Sequence, residues 1–159
     1  MNLPNQTVKQ VFAIKNKGTE MIQSLSLINN IEQIPLLTSW VTTVGKDLQL
    51  SDTSIFQLNL ALEEAVVNVM NYAYPDVQGM PILLTVETQA TEGSVLFTLI
   101  DEGIPFDPTT KIMPDITLPA MERPIGGLGI FLIEQLMENV TYKRVGDKNV
   151  LEMKYKIKA

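Results

Sequence analysis

The chain has 159 residues, of which 45% are hydrophobic and 19% charged, which suits one folded domain with a sizeable core and argues against disorder. It contains no cysteine and no histidine, which excludes disulfides, thiol or imidazole catalysis, and zinc sites built from those side chains. A net charge of -6 argues against direct nucleic-acid binding.

The N-terminus lacks the basic and apolar segments of a signal peptide. No apolar run reaches the about 18 residues that would cross a bilayer. We therefore expect a cytoplasmic protein without membrane contact.

The first predicted elements are two short strands, residues 7–16 and 21–29, joined by a hairpin turn at 16–18. A helix follows, because apolar residues recur at gaps of three and four and Pro35 suits a first helical turn. Its apolar residues are Ile34, Leu37, Val41, Val44 and Leu48.

A second, longer helix is predicted to begin at a cap on Ser51 or Asp52 and to run to about Tyr72, with Pro75 as its stop. The same spacing defines its buried face, which consists of Ile55, Leu58, Leu62, Ala65 or Val66, and Val69.

Two further strands, 82–88 and 94–101, precede a long proline-containing segment over 103–123. Loops of that length inside a compact domain are usually functional. A third helix is predicted over 127–138, and two last strands flank the turn at 146–149. The basic residues of this last hairpin, which include Lys143 and Arg144, alternate with apolar ones and favour a solvated face.

The predicted order is therefore β-β-α-α-β-β-loop-α-β-β. Strands that are grouped rather than alternating with helices indicate an α+β fold, a two-layer sandwich of helices over a mixed, mainly antiparallel sheet. Without repeats or a flexible linker, we expect a single domain over residues 1–159.

One polar stripe lies on the second helix beside its apolar face and consists of Glu64, Asn68 and Asn71. An amide oxygen such as that of Asn68 suits Mg²⁺, which keeps waters and takes phosphate oxygens readily. A carboxylate one turn back, at Glu64, could accept a proton from an attacking hydroxyl. The alternative is an ordinary exposed helical face.

A second group follows directly after the strand ending at Asp101. A carboxylate at a strand end can accept a hydrogen bond from an exocyclic amine such as that of adenine. Gly103 lets a ring or a backbone segment approach closely because it has no Cβ. The alternative is an acidic turn that closes the strand.

A third group opens the last helix, with Arg123 shortly before three glycines, Gly126, Gly127 and Gly129, that surround Leu128. Glycines at a helix N-terminus leave backbone N–H groups accessible, and the helix dipole attracts phosphate. The pattern is neither a P-loop nor a Rossmann fingerprint. A flexible hinge is the alternative.

Taken together, the three groups resemble a known family, the ATPase superfamily shared by gyrase, the heat-shock chaperone ATPase, sensor histidine kinases and mismatch-repair ATPases. Glu64-Ala65-Val66-Val67-Asn68 is similar to its N-box. Asp101-Glu102-Gly103 and Gly126-Gly127-Leu128-Gly129 are similar to its first and second glycine boxes. The order and close spacing of the three motifs are more specific than any one of them.

The resemblance narrows to the anti-sigma-factor serine kinase branch, on Asn71-Tyr72-Ala73-Tyr74-Pro75, on Asp101 through Pro108, and on Arg123 through Ile130. It implies the Bergerat-type ATP-binding fold, with Asn68 binding magnesium, Glu64 as the base and Asp101 binding adenine. Asn71, Gly103, Arg123, Leu128 and the three glycines complete the implied nucleotide site, and residues 107–124 would form the ATP lid.

The resemblance also implies partners. Members of this branch bind a sigma factor or another regulator and phosphorylate a serine on a small antagonist protein, and we expect a homodimer. Two positions depart from the family's pattern: Pro105 replaces a second glycine, as is usual in this branch, and Tyr72 stands where the branch commonly has histidine.

Three functions remain open from the sequence. The chain is a serine kinase, a binding module that sequesters a regulator with little turnover, or a detached histidine-kinase catalytic domain. The run Pro105-Phe106-Asp107-Pro108 and the lack of a fused sensor or phosphotransfer segment favour the first two.

Overall fold

The structure, a computed structural model, describes residues 21–89, 92–110, 117, 119 and 128–158. The predicted strand over 7–16 and the turn at 16–18 lie outside these ranges, as does most of the lid expected at 107–124. None of the helices in the described ranges combines the length and apolar character that a membrane span requires.

The described elements follow the predicted order. The strands are β1 (Ile22–Ile28), β2 (Pro81–Gln89), β3 (Ser94–Asp101), β4 (Asn139–Val145) and β5 (Lys148–Lys156). The helices are α1 (Ile34–Asp47), α2 (Asp52–Tyr72) and α3 (Leu128–Leu136), and short 3-10 turns lie at Ile31–Gln33 and Pro108–Thr110. The third helix thus ends two residues earlier than predicted.

The strands form one sheet in the order β1-β2-β3-β5-β4, and every pairing among the described strands is antiparallel. Side chains alternate between its two faces, as a pleated strand requires. In β3, Val95, Phe97 and Leu99 join the core that the helices cover, whereas the residues between them are only partly buried on the other face. The predicted α+β sandwich of helices over a mainly antiparallel sheet is confirmed.

Helix α2 carries all three side chains of the first predicted group, Glu64, Asn68 and Asn71. The Ser51 hydroxyl caps it by accepting a hydrogen bond from the Ser54 N–H at 3.2 Å. Its buried residues recur at gaps of three and four: Ile55, Leu58, Ala61, Leu62, Ala65 and Val66. Glu64 and Asn68 lie half-buried beside that face, between the core and solvent.

The first turn of α2 is held close to the last turn of α1. A Cβ added to Gly45 would lie 2.5 Å from Cγ1 of Ile55, so only glycine permits this approach. The buried α1 residues Leu37, Trp40, Val41 and Val44 pack into the same core. This contact joins α1 and α2 within the layer of helices, and α2 also contacts β3, the middle strand of the sheet.

Candidate functional site

Asp101 is the last residue of β3, and its side chain is buried, with 4% exposed. A buried carboxylate needs hydrogen bonds to offset its lost hydration. Its Oδ1 accepts two, from the Gly103 N–H at 2.9 Å and from Asn149 Nδ2 at 2.9 Å. Both of these donors bind the same oxygen, so Oδ2 is the atom suited to accept a hydrogen bond from a ligand.

Gly103 packs directly against Ala73, the residue that caps the C-terminus of α2. The Ile104 N–H donates to the Ala73 carbonyl at 2.8 Å. A Cβ on Gly103 would overlap that carbonyl and lie 2.5 Å from the Cβ of Ala73. The close approach predicted at Gly103 is therefore explained by the backbone of the protein itself.

Tyr74 hydrogen-bonds to the loop that follows β3 and to the start of β2. Its hydroxyl donates to the Pro81 carbonyl at 2.8 Å and accepts from the Glu102 N–H at 2.7 Å. Burial raises the pKa of Tyr74 above its ordinary value of 10.0; the bond from Glu102 N–H opposes this, and the negative charge of Asp101 adds to it. The hydroxyl consequently stays protonated at neutral pH and keeps both bonds.

Glu64 and Asn68 meet α3 at Gly129. A Cβ on Gly129 would lie 2.7 Å from Oε2 of Glu64 and 3.5 Å from Nδ2 of Asn68. The carboxylate and the carboxamide therefore converge on the first turn of α3, where backbone N–H groups have no partner within the helix. Oxygens of these two types suit Mg²⁺, which takes few protein ligands and completes its shell with water and phosphate.

The structure does not place the other predicted site residues at the cavity. Asn71 is exposed near the end of α2 and is not among the described residues that line the cavity beside it. Arg123, Gly126 and Gly127 lie outside the described residues, and α3 begins at Leu128, whose side chain also lies outside them. Their roles in nucleotide binding stay predictions.

A narrow cavity lies between α2, α3 and the neighbouring ends of β3, β4 and β5. Its polar lining residues are Asn68, Asp101, Asn149 and Tyr142, and its other walls are Ala65, Val69, Ala73, Leu99, Phe106, Pro108, Ile130 and Leu151. Apolar walls with a few convergent polar groups are typical of small-molecule sites. About 30 Å³ is open, which suits a water, so a bound ring requires the lining side chains to move outward.

Phe106 is one of the apolar residues that line this cavity. Its ring stacks on that of Tyr72 with 6.4 Å between the ring centroids and 28° between the planes. Its N–H donates to Oδ1 of Asn149 at 3.4 Å. The tyrosine that departs from the family's pattern at position 72 therefore contacts a side chain that lines the cavity.

Asn149 and Tyr142 are site residues that the sequence analysis missed. The predicted turn at 146–149 is shorter in the structure, since Val145 pairs directly with Lys148 and only Gly146 and Asp147 lie between them. Gly146 has a φ of +60°, as the first position of a type II′ hairpin turn requires. Asn149 is therefore a strand residue, 5% exposed, that faces Asp101 across the sheet.

The dipeptide Gly146-Asp147 was the available signal for this register. A glycine followed by one residue between two alternating runs predicts a two-residue hairpin. That prediction pairs position 145 with 148, which places Asn149 inside the strand. Tyr142 then lies on the same face as Asn149, where its hydroxyl donates to Asn149 Oδ1 at 2.6 Å.

Comparison with known proteins agrees with the fold. Residues 27–155 match the family model described as "Histidine kinase-like ATPase domain". Over 128 residues the chain is 26% identical to the serine-protein kinase RsbW of Bacillus cereus (strain G9842), with 78% of each chain covered.

A second relative is the serine/threonine-protein kinase BtrW of Bordetella bronchiseptica, 27% identical over 89 residues. This match covers 56% of the present chain and 61% of BtrW, which is less than two thirds of that relative.

Among solved structures, the chain resembles that of the RsbU and RsbW domains of Rv1364c from Mycobacterium tuberculosis, with a TM-score of 0.60 and 14% identity. The likeness covers 86% of this chain and 32% of that one, and it is a likeness of fold. The family model, in contrast, spans most of the sequence, including α2, β3 and β5, which carry Glu64, Asn68, Asp101 and Asn149. The chain therefore belongs to the histidine kinase-like ATPase domain family.

Proposed function

We propose that the chain binds ATP with Mg²⁺ in this cavity and transfers the γ-phosphate to a serine of a partner protein. The observation that carries this proposal is that Asn68 lines the cavity that also reaches the buried Asp101, and that beside it Glu64 and Asn68 converge on Gly129. One end offers oxygen ligands and a helix N-terminus for phosphate and metal. The other offers a buried carboxylate that can accept a hydrogen bond from an amine. The two ends therefore match the triphosphate and the adenine of ATP.

In this proposal, Oδ2 of Asp101 accepts a hydrogen bond from the exocyclic amine of adenine, and the ring lies against the apolar walls. Asn68 holds Mg²⁺, which when bound screens the phosphate charge. Glu64 accepts the proton of the attacking serine hydroxyl. Gly129, with Gly126 and Gly127, offers backbone N–H groups to the phosphates.

The names of RsbW and BtrW as serine and serine/threonine-protein kinases support a protein as the phosphate acceptor. We propose that the acceptor is a small antagonist protein and that the chain sequesters a sigma factor or another regulator until the antagonist binds. We also propose that the single domain works as a cytoplasmic homodimer, with residues 107–124 as an ATP lid.

A second candidate function is a nucleotide-dependent binding module with little turnover. Tyr72 favours it, because the position where the kinase branch commonly has histidine holds a phenol ring that stacks on Phe106. A detached histidine-kinase catalytic domain, which needs a separate histidine-bearing partner, is the third.

The proposal is tested in two stages. Calorimetry with ATP and Mg²⁺ measures binding by the protein alone, and radiolabelled ATP then measures transfer to candidate antagonist proteins. Phosphoserine on an antagonist supports the kinase, tight ATP binding without transfer supports the module, and phosphohistidine on a partner supports the histidine-kinase domain. Absence of ATP binding refutes all three.

Variants of α2 assign the roles. Glu64→Gln should keep ATP affinity within about twofold and lower transfer by about 100-fold or more, because it removes a base but preserves shape. Asn68→Ala should abolish the magnesium dependence of binding. Glu63→Gln is the matched control, since Glu63 is the exposed neighbour on the same helix. Equal transfer by Glu64→Gln and Glu63→Gln would show that Glu64 is not the base.

A further inference from the structure

A row of polar side chains crosses three neighbouring strands at the adenine end of the cavity. Asp101 of β3 pairs with Asn149 of β5, and Asn149 pairs with Arg144 of β4. Because side chains alternate along a strand, Lys143 lies on the opposite face of the sheet, where its Nζ is 3.0 Å from Oε1 of Glu152. Lys143 and Arg144, although adjacent in β4, therefore lie on opposite faces of the sheet.

The carboxamide of Asn149 is hydrogen-bonded on both sides. Oδ1 accepts from the Tyr142 hydroxyl at 2.6 Å and from Nη1 of Arg144 at 3.1 Å. Nδ2 donates to Oδ1 of Asp101 at 2.9 Å and to the Ile104 carbonyl at 2.8 Å. The orientation of an amide is decided by which neighbours donate and which accept, and here the two sides are distinct.

Arg144 is one of the partners that fix this orientation, together with the Phe106 N–H, which donates to Oδ1, and the Ile104 carbonyl, which accepts from Nδ2. A tyrosine hydroxyl can donate or accept, so Tyr142 tolerates either orientation of the amide. A guanidinium carries only donors and no acceptor. With the amide reversed, Nδ2 of Asn149 would face the guanidinium and Oδ1 would face the carboxylate of Asp101, and both contacts are repulsive.

Arg144 also holds the loop that follows β3. Its Nη1 donates to the Gly103 carbonyl at 2.8 Å, while the Gly103 N–H binds Oδ1 of Asp101. One guanidinium thus contacts both groups whose donors fix Asp101, namely Gly103 and Asn149. Arg144 itself is exposed and is not among the described residues that line the cavity.

We propose that Arg144 is a positioning residue for adenine recognition. From outside the cavity it locks the amide of Asn149 and the Gly103 loop, which together hold Asp101 with Oδ2 turned toward the exocyclic amine of the base. This inference rests on the proposed nucleotide-binding function and adds to it a specificity determinant that touches no ligand.

The test uses ADP and the matching diphosphate of purine riboside. The second compound lacks the 6-amino group and so cannot donate a hydrogen bond to Asp101. Calorimetry with Mg²⁺ gives both affinities for the wild-type chain, Arg144→Met, Arg144→Lys and Lys143→Met. Arg144→Met keeps an apolar stem of similar length, and Lys143→Met removes the same charge from the next residue on the other face.

Wild type and Lys143→Met should prefer ADP over the analogue to the same degree. Arg144→Met should reduce that preference by about tenfold, which is the effect of one lost hydrogen bond to a charged group, while its affinity for the analogue changes less than about twofold. A lysine reaches only one of the two acceptors, so Arg144→Lys should reduce the preference less, by about threefold.

An unchanged preference for ADP in Arg144→Met overturns the inference and leaves the proposed function intact. If Arg144→Met does not fold, as judged by thermal unfolding, Arg144→Lys decides, and full retention of the wild-type preference overturns the inference. If the wild-type chain binds neither nucleotide, the proposed function fails first and the inference fails with it.

Discussion

Gly129→Ala is the substitution that probes the junction of α2 and α3 most directly. The added Cβ would lie 2.7 Å from Oε2 of Glu64, whereas a close carbon–oxygen contact is about 3.3 Å. The nearest atom is the end of a flexible side chain, so we expect the carboxylate to move by roughly 0.6 Å rather than the helix to unfold.

Two opposing effects on stability follow from this displacement. Forcing Glu64 off its preferred rotamer costs about 0.5–1.5 kcal/mol. Replacing glycine by alanine in a helix stabilises it by up to about 1 kcal/mol. The free energy of unfolding should therefore change little in the wild-type background and rise by about 1 kcal/mol when Glu64→Ala has removed the clash.

A double-mutant cycle in urea, comparing Gly129→Ala with and without Glu64→Ala, measures this coupling. In the same Gly129→Ala protein, basal ATP hydrolysis should fall by about tenfold, because misplacing a reacting group by about 1 Å can cost 100-fold. ADP affinity should stay within about twofold. Additive free energies in the cycle would refute the contact between Glu64 and Gly129, on which the proposed phosphate-binding end of the site depends.

Two further substitutions test the loop that follows Asp101. Gly103→Ala should lower the free energy of unfolding by about 1–3 kcal/mol, since its Cβ meets the rigid Ala73 carbonyl, and an unchanged urea midpoint would contradict the packing described here. Tyr74→Phe should cost about 1–2 kcal/mol at pH 8, because the Glu102 N–H and the Pro81 carbonyl lose their partner. The pKa of Tyr74 is raised in the folded state, so its contribution is complete below the unfolded pKa of about 10 and is lost as pH rises through the folded value. Urea titrations at pH 8 and at about pH 11 should therefore show a smaller difference between wild type and Tyr74→Phe at the higher pH, and a difference that grows would contradict the raised pKa.

The helices and most strands could be predicted because their signals are local. The apolar spacing of α2 over three and four residues determines which face is buried, and Ser51 supplies its cap within the same segment. An apolar run likewise marked β3, and the alternation of basic and apolar residues marked β5. The α+β class followed from the order of these elements alone.

The contacts that assemble the site depend on distant segments and could be predicted only in part. Glu64, Asn68 and Asp101 were found through their motifs, yet nothing near Gly103 indicates that Ala73 is its neighbour. Asn149 was missed because its role arises from pairing with a residue 48 positions earlier in the chain. Arg144 stays exposed, as the alternating basic residues of the hairpin suggested, although its guanidinium bonds to the loop at the cavity.

The two-residue turn between β4 and β5 constrains how this sequence can vary. Because side chains alternate with a period of two, one residue inserted there would either break the pairing of β5 with β3 or turn Asn149 to the opposite face and replace it with a neighbour. Substitution of the exposed Asp147 leaves that parity untouched, provided that Gly146 keeps its positive φ. Natural variants should accordingly tolerate changes of residue in the turn far better than changes of its length, although the turn itself touches no part of the cavity.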